Sequence, residues 1–275
     1  MTLILTTSRS NRRALEPTAR ALAEALQLPF VTRSVGLARL MDAHGAWGAY
    51  VVSQAHHTIE AASGEQLVVG PGMFYLKRLD GRDHPLIRAI APAEGRPVRE
   101  VWDGTLGLAG DALHIAHALQ VAVFGVEASP VLAALVGEGL ARMSEEGRAW
   151  SEAAGRVRVM EGRAQERLAG VEADVVYLDP MFTEPAAAAS GFGIVRRLAV
   201  GAPLGEALLE AACGAARRRV VVKWPGGVEA PEVAPSGLGG WNRRVRGRAV
   251  DYLVAEYELE DPVYEAPDHG CGAGS

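Results

Sequence analysis

The sequence predicts an α/β protein: a doubly wound, mostly parallel sheet with an antiparallel C-terminal hairpin, preceded by a small α+β unit. Two observations carry this. From His84 onward, strand-like and helix-like segments alternate, the order that builds βαβ units. Three of the strands, Val121–Val126, Asp174–Leu178 and Val220–Lys223, are nearly continuous apolar runs, as expected where both faces of a sheet are covered. Of the 275 residues 49% are hydrophobic and mean hydropathy is +0.07, enough apolar material for a real core and too much for a mostly disordered chain. No run approaches the ~18–20 uncharged apolar residues of a membrane-spanning helix. The opening MTLILTTSRSNRR has its apolar stretch ahead of the arginines and is too short for a signal peptide. The chain therefore reads as soluble and cytoplasmic.

The elements follow in order. Thr2–Thr6 is a short apolar strand. Leu15, Ala19, Leu22, Ala23 and Leu26 then form one apolar helical stripe. Phe30–Thr32 is expected as a second strand. From Ala49 to Leu79 the runs AYVV, QLVVG and MFYLKRL are β-rich and glycine-punctuated, and residues 1–80 are read as the small α+β unit. In the larger domain, 81–262, Pro97–Trp102 leads through a glycine turn to a helix ending at Leu119. The Val121–Val126 strand is followed by a helix that Ser129 can cap and Pro130 can open. Arg156–Met160 alternates as a strand. The Asp174–Leu178 strand, a helix over Leu204–Ala216 and the Val220–Lys223 strand come next. RRVRGRAVDYLVAEYEL reads as an antiparallel pair turning near Gly247. Residues 263–275 read as a disordered, glycine-rich tail.

Several chemistries are disfavoured. Two cysteines, Cys213 and Cys271, make neither a disulfide framework nor a zinc site. His114 and His117 stand i, i+3 on a helix without an acidic or cysteine partner to complete a metal set, and no metal is expected. G-x-S-x-G and G-x-x-x-x-G-K-[ST] are both absent, which argues against hydrolase and P-loop readings. The formal net charge is −5, yet Arg217–Arg248 is locally basic. Lys223, Arg243, Arg244, Arg246 and Arg248 are either solvated-edge residues or contacts to an anionic substrate.

Three constellations carry chemistry. In the turn Asp103-Gly104-Thr105-Leu106-Gly107-Leu108-Ala109-Gly110, glycines allow close backbone approach to a ligand at the strand ends. Glu127 ends the next apolar strand about 20 residues on, where a carboxylate can accept both ribose hydroxyls. The spacing is not that of a pyrophosphate loop, and Asp103 and Asp111 flank it. Those carboxylates would repel a pyrophosphate but suit the cationic amino group and sulfonium of S-adenosylmethionine. Lastly, Val175–Leu178 runs into Asp179-Pro180-Met181-Phe182. A carboxylate and a proline carbonyl can there accept the N–H bonds of an exocyclic amine while Phe182 stacks on the base.

With these residues in view, the segment from about Gly81 to Leu259 resembles the Rossmann-like class I S-adenosylmethionine-dependent methyltransferases. More narrowly, it is similar to the bacterial small-subunit rRNA guanine-N2 methyltransferase family. That family's VVYLDPMF is matched by Val175–Phe182, its RVVVK by Arg219–Lys223, and its D-x-T-x-G-x-x-x-D-A by Asp103, Thr105, Gly107, Asp111 and Ala112. Its C-terminal Gly…Asp pattern is matched by Gly247 and Asp251. The resemblance implies cofactor contacts at Gly110, Asp111, Glu127, Ala128, Gly162, Arg163 and Asp179, and an rRNA or small-subunit partner. Family members tend to carry Arg at the positions of Gly110 and Ala128, and a proline and lysine-rich segment after the DPMF motif. Here Thr183, Glu184, Pro185 and an alanine run stand instead, which leaves a small-molecule or protein acceptor open, or a cofactor-binding protein without catalysis.

Overall fold

A computed structural model describes residues 2–72, 81–91, 97–180, 192–200, 204–235 and 239–257. The expected strand MFYLKRL and the tail 263–275 lie outside the described residues.

The first sheet has four strands in the order β1 (Thr2–Thr7), β2 (Ala46–Val52), β3 (Thr58–Ala61), β4 (Gln66–Leu67). β1 and β2 are parallel, and β2, β3 and β4 pair antiparallel. The β1–β2 crossover carries α1 (Arg12–Ala25) and α2 (Leu37–Ala43). The stripe on α1 packs as its spacing dictates: Ala19 and Ala23 are buried, and Leu15, Leu22 and Leu26 lie against the same core. The expected strand Phe30–Thr32 is only a single bridge, Phe30 to Leu5.

The second sheet has seven strands. In chain order the elements are α3 (Pro85–Ile90), β5 (Glu100–Asp103), α4 (Gly110–Leu119), β6 (Ala122–Glu127), α5 (Pro130–Glu145), α6 (Ser151–Arg156) and β7 (Val157–Glu161). α7 (Ala164–Arg167), β8 (Ala173–Leu178), α8 (Phe192–Leu198), α9 (Glu206–Ala215), β9 (Ala216–Pro225), β10 (Arg243–Arg246) and β11 (Val250–Glu256) complete it. The spatial order is β10-β11-β9-β8-β5-β6-β7. The five strands β7, β6, β5, β8 and β9 are parallel, and β11 and β10 are antiparallel additions at one edge. The chain leaves β5 to one side through β6 and β7 and returns to its other side as β8. That reversal opens a crevice at the carboxyl ends of β5, β6 and β8, where open α/β sheets bind ligands.

Alternation along the central strands divides the core. Val175, Tyr177 and Val221 enter one cluster, whereas Val176, Leu178, Val220 and Val222 enter another beneath α9. The first cluster also contains Tyr50, Ile59 and Leu67 of the small sheet, so one core spans both sheets. Polar ties cross the same boundary: Arg142 donates to the Val69 carbonyl at 2.7 Å, and the His57 N–H to Glu138 at 3.2 Å.

Candidate active site

Asp103 ends β5 with its side chain 1% exposed. Its Oδ1 accepts the Thr105 N–H at 2.9 Å and the Thr105 hydroxyl at 3.3 Å. Burial, with Asp111 and Asp179 adding to it, pushes the Asp103 carboxyl up to about 7, against those two hydrogen bonds. Gly104 is required by space: a Cβ there would lie 2.7 Å from Leu178 Cδ2. Its N–H donates to the Tyr177 carbonyl at 2.9 Å, tying the turn to β8. Gly107 is required by conformation, with φ at +51°.

The Gly107 N–H points at Glu127, meeting Oε2 at 3.1 Å, while the Ser129 N–H meets Oε1 at 2.8 Å. Burial raises the Glu127 carboxyl above the ordinary value, and N–H donors from Ser129, Gly107 and Ala128 oppose that shift. Both oxygens are therefore oriented by main-chain donors, and a carboxylate oxygen has lone-pair capacity left for a ligand hydroxyl. Ser129 also caps α5, accepting the Leu132 N–H at 3.4 Å.

These residues border an open cleft at the carboxyl ends of the strands, where open α/β sheets bind ligands. Of the sequence-predicted residues, Gly104, Thr105, Gly107, Glu127, Ala128, Arg163, Asp179 and Pro180 line it. Four others lie behind this lining. Asp103 sits beneath Thr105, Gly110 opens α4, and Gly162 (φ +139°) donates its N–H to the Glu127 carbonyl at 2.9 Å. Asp111 is the fourth. Its Oδ2 accepts the Tyr177 hydroxyl at 2.7 Å and lies 3.1 Å from Lys223 Nζ. Sequence reasoning missed Gln165, Val195, Ala199, Val200 and Leu208, which also line the cleft. Their part depends on how α7, α8 and α9 pack, and no local motif marks them. Phe182 and Met181 lie outside the described residues.

The basic side chains, read from the sequence as either edge residues or contacts to an anionic substrate, are largely tied down internally. Lys223 is shared by two carboxylates, at 2.6 Å from Asp179 and 3.1 Å from Asp111. Arg243 donates to the carbonyls of Arg88 and Ala89 and lies 3.6 Å from Glu256. Arg244 donates to the Val228 carbonyl at 2.6 Å and lies 3.7 Å from Asp251. These two arginines fasten β10, the outermost strand of this sheet among the described residues. Arg246 and Arg248 are exposed and have no ion-pair partner among the described residues. Arg219, in the same basic stretch, is 2% exposed, paired with Glu256 and bonded to the Ile90 carbonyl. Burial lowers its guanidinium to about 10, against the pull of Glu256. Among the described residues no group of three or more His, Cys, Asp or Glu could hold a metal ion, and no helix is long and apolar enough to cross a membrane.

Known proteins resemble this chain along most of its length. Ribosomal RNA small subunit methyltransferase J of Thioalkalivibrio sulfidiphilus is 32% identical over 225 residues, 78% of this chain and 85% of the relative. The protein of the same name from Nitrosococcus oceani is 34% identical over 217 residues, covering 75% and 83%. A crystal structure of a SAM-dependent methyltransferase from Neisseria gonorrhoeae superimposes with a TM-score of 0.66 at 22% identity, covering 95% of this chain and 99% of that one; it supports the fold. The family model described as "Putative SAM-dependent methyltransferase" matches residues 70–236. With a Rossmann-like sheet, a glycine turn and a strand-end glutamate around one cleft, and this match over more than half its length, the chain belongs to the SAM-dependent methyltransferase family.

Proposed function

We propose that this enzyme methylates an exocyclic amine, guanine N2, in small-subunit ribosomal RNA in the cytoplasm. The observation that carries the reading is the end of β8: Asp179 and Pro180 face the same cleft as Glu127. One pocket therefore offers a nucleoside site and, beside it, acceptors for an amine. The names of the relatives from Thioalkalivibrio and Nitrosococcus support the RNA acceptor.

The residues present fit S-adenosylmethionine. Glu127 has carboxylate lone pairs for the two ribose hydroxyls, with Val126, Ala128, Ala164 and Leu208 as apolar walls for a flat base. Asp179 lines the cleft with Asp103 and Asp111 behind it, three carboxylates against the one ammonium of Lys223, a balance that favours a cationic ligand. When bound, S-adenosylmethionine supplies a methyl group on a positively charged sulfur, which keeps the C–S electron pair as the acceptor nitrogen gains the methyl and gives up one proton. The chain's part is alignment. The Asp179 carboxylate and Pro180 carbonyl would hold the two amine hydrogens, directing the nitrogen lone pair into the cleft, and Asp179 is the nearest base for the released proton. Phe182 is assigned the stacking role. In this reading residues 81–262 carry the chemistry and residues 1–80 form an adjoining unit.

The test is transfer of labelled methyl groups to small ribosomal subunits or their naked RNA from a strain lacking this protein, followed by mapping of the modified nucleotide. A single labelled guanine is expected. The internal neutralisation of Lys223, Arg243 and Arg244, with a net charge of −5, favours a second reading, an uncharged small-molecule or protein acceptor. Label absent from RNA but present in a protein or small-molecule fraction would establish that one instead.

A further inference from the structure

The end of β8 is held from two sides. On one side Thr105 Oγ1 accepts the Asp179 N–H at 2.5 Å and donates onward to Asp103 at 3.3 Å. On the other, Lys223 Nζ donates to Asp179 Oδ2 at 2.6 Å and to Asp111 Oδ2 at 3.1 Å, and the Tyr177 hydroxyl donates to that same Asp111 oxygen at 2.7 Å. The β5 turn, α4, β8 and β9 therefore converge on one ammonium. Tyr252 of β11 is paired opposite Lys223 in the sheet and is near enough to interact with it electrostatically. The titratable groups facing this point are Asp103, Asp111, Asp179, Tyr177 and Tyr252.

Two carboxylates this close repel each other, and without a cation between them one is driven to take up a proton. Burial disfavours the charge on Lys223, but Asp111 and Asp179 outweigh it and raise the ammonium above its ordinary value. The two carboxylates are not equivalent. Asp111 is 9% exposed and anchored by Tyr177, whereas Asp179 is 32% exposed and lines the cleft.

We propose that Lys223 is a positioning residue for methyl transfer: its ammonium, anchored on Asp111, fixes the orientation and balances the charge of the Asp179 carboxylate, so that this carboxylate meets the acceptor amine. Lys223 acts through Asp179 and touches no reacting atom. The consequence for rate rests on the methyl-transfer reading, while the coupling between Lys223 and Asp179 stands on geometry alone.

Two lysine variants, read by kinetics and by NMR, test it. Lys223→Met should lower kcat on the acceptor by about 30-fold at pH 7, short of the roughly 10²–10⁴-fold that a group transferring the proton itself supplies. Affinity for S-adenosylhomocysteine should change by no more than about threefold, well under the tenfold that 1.4 kcal/mol represents. The acid limb of kcat should move up by about one pH unit or more, because Asp179 now titrates among uncompensated carboxylates, and the deficit should shrink toward pH 9. Lys223→Arg keeps the charge and should return the acid limb to its wild-type position. A lysine that merely stabilises the fold predicts a lowered Tm with an equal loss at every pH, and that result would overturn the inference. The second readout needs no acceptor: carbon-13 NMR titration of the carboxyls, with Asp179→Asn for assignment. The Asp179 resonance should titrate about one unit or more higher in Lys223→Met than in the wild type. An unmoved resonance overturns the inference even if RNA methylation is established. A moved resonance in an enzyme that fails to label RNA upholds the coupling and removes only the substrate reading.

Discussion

Glu127 is held as an acceptor before any ligand arrives, since the Gly107 and Ser129 N–H groups fix both of its oxygens. Replacing it with alanine removes charge-assisted hydrogen bonds worth roughly 1.5–3 kcal/mol. Affinity for S-adenosylhomocysteine measured by calorimetry should fall about tenfold or more, with the fold retained by circular dichroism; unchanged affinity would place the ribose elsewhere. Asp103 makes a different prediction, about pH. Its carboxyl is raised to about 7 by burial, against about 3.9 when unfolded. The native state thus binds the proton more tightly than the unfolded chain. The stability this contributes is complete below about pH 4 and is lost as pH rises toward 7. Asp103→Asn has no proton to lose there. The Tm of wild type relative to Asp103→Asn should therefore fall between pH 4 and 7, and a constant difference across that window would show that Asp103 ionises normally.

At the level of elements, the C-terminal hairpin shows how a sequence signature can be structural. Asp251 is 4% exposed, and it accepts the Gly247 N–H at 3.3 Å and the Gly227 N–H at 3.3 Å. The Gly…Asp pattern thereby pins two turns at the cleft end of the sheet. A Cβ at Gly247 would lie 2.4 Å from the Val250 carbonyl oxygen, a backbone atom that cannot step aside. Gly247→Ala should cost about 1–3 kcal/mol in urea unfolding while S-adenosylhomocysteine affinity per folded molecule is preserved; a neutral substitution would mean that this turn opens without cost. Much of the larger sheet was legible because its strands are long apolar runs and its glycines sit at turns. The helix over Pro130–Glu145 was legible from its cap and first-turn proline. The strand Thr58–Ala61 and the helices Leu37–Ala43 and Ser151–Arg156 were not, being short segments whose form is decided by the surfaces they cover. The same limit applies to the site. Glu127 and Asp179 end apolar strands and announce themselves, but nothing local distinguishes Asp111 and Lys223 as partners, because α4 and β9 meet only through the folded sheet.

Across the whole molecule, the question is where an acidic protein would hold RNA. The basic stretch Arg217–Arg248 divides sharply once folded. Arg219, Arg243 and Arg244 are committed to Glu256, Asp251 and main-chain carbonyls, whereas Arg246 and Arg248 are exposed at the cleft end of the hairpin, beyond the pairing of Arg246 with Asp251. If small-subunit RNA is the acceptor, these two exposed arginines are free to meet phosphates on this edge of the sheet. Each phosphate contact releases counterions and steepens the salt dependence of binding by about 0.7–0.9 in log–log slope. Replacing Arg246 and Arg248 together with alanine should therefore weaken RNA binding and flatten that slope by about 1.5 units, with Tm and S-adenosylhomocysteine affinity unchanged. Arg243→Ala and Arg244→Ala should do the reverse, lowering stability by about 1 kcal/mol each through lost carbonyl hydrogen bonds and leaving the slope as it was. A slope indifferent to Arg246 and Arg248 would move the RNA path off this edge of the sheet, and a slope that follows Arg243 or Arg244 would mean that their internal ties open when RNA binds.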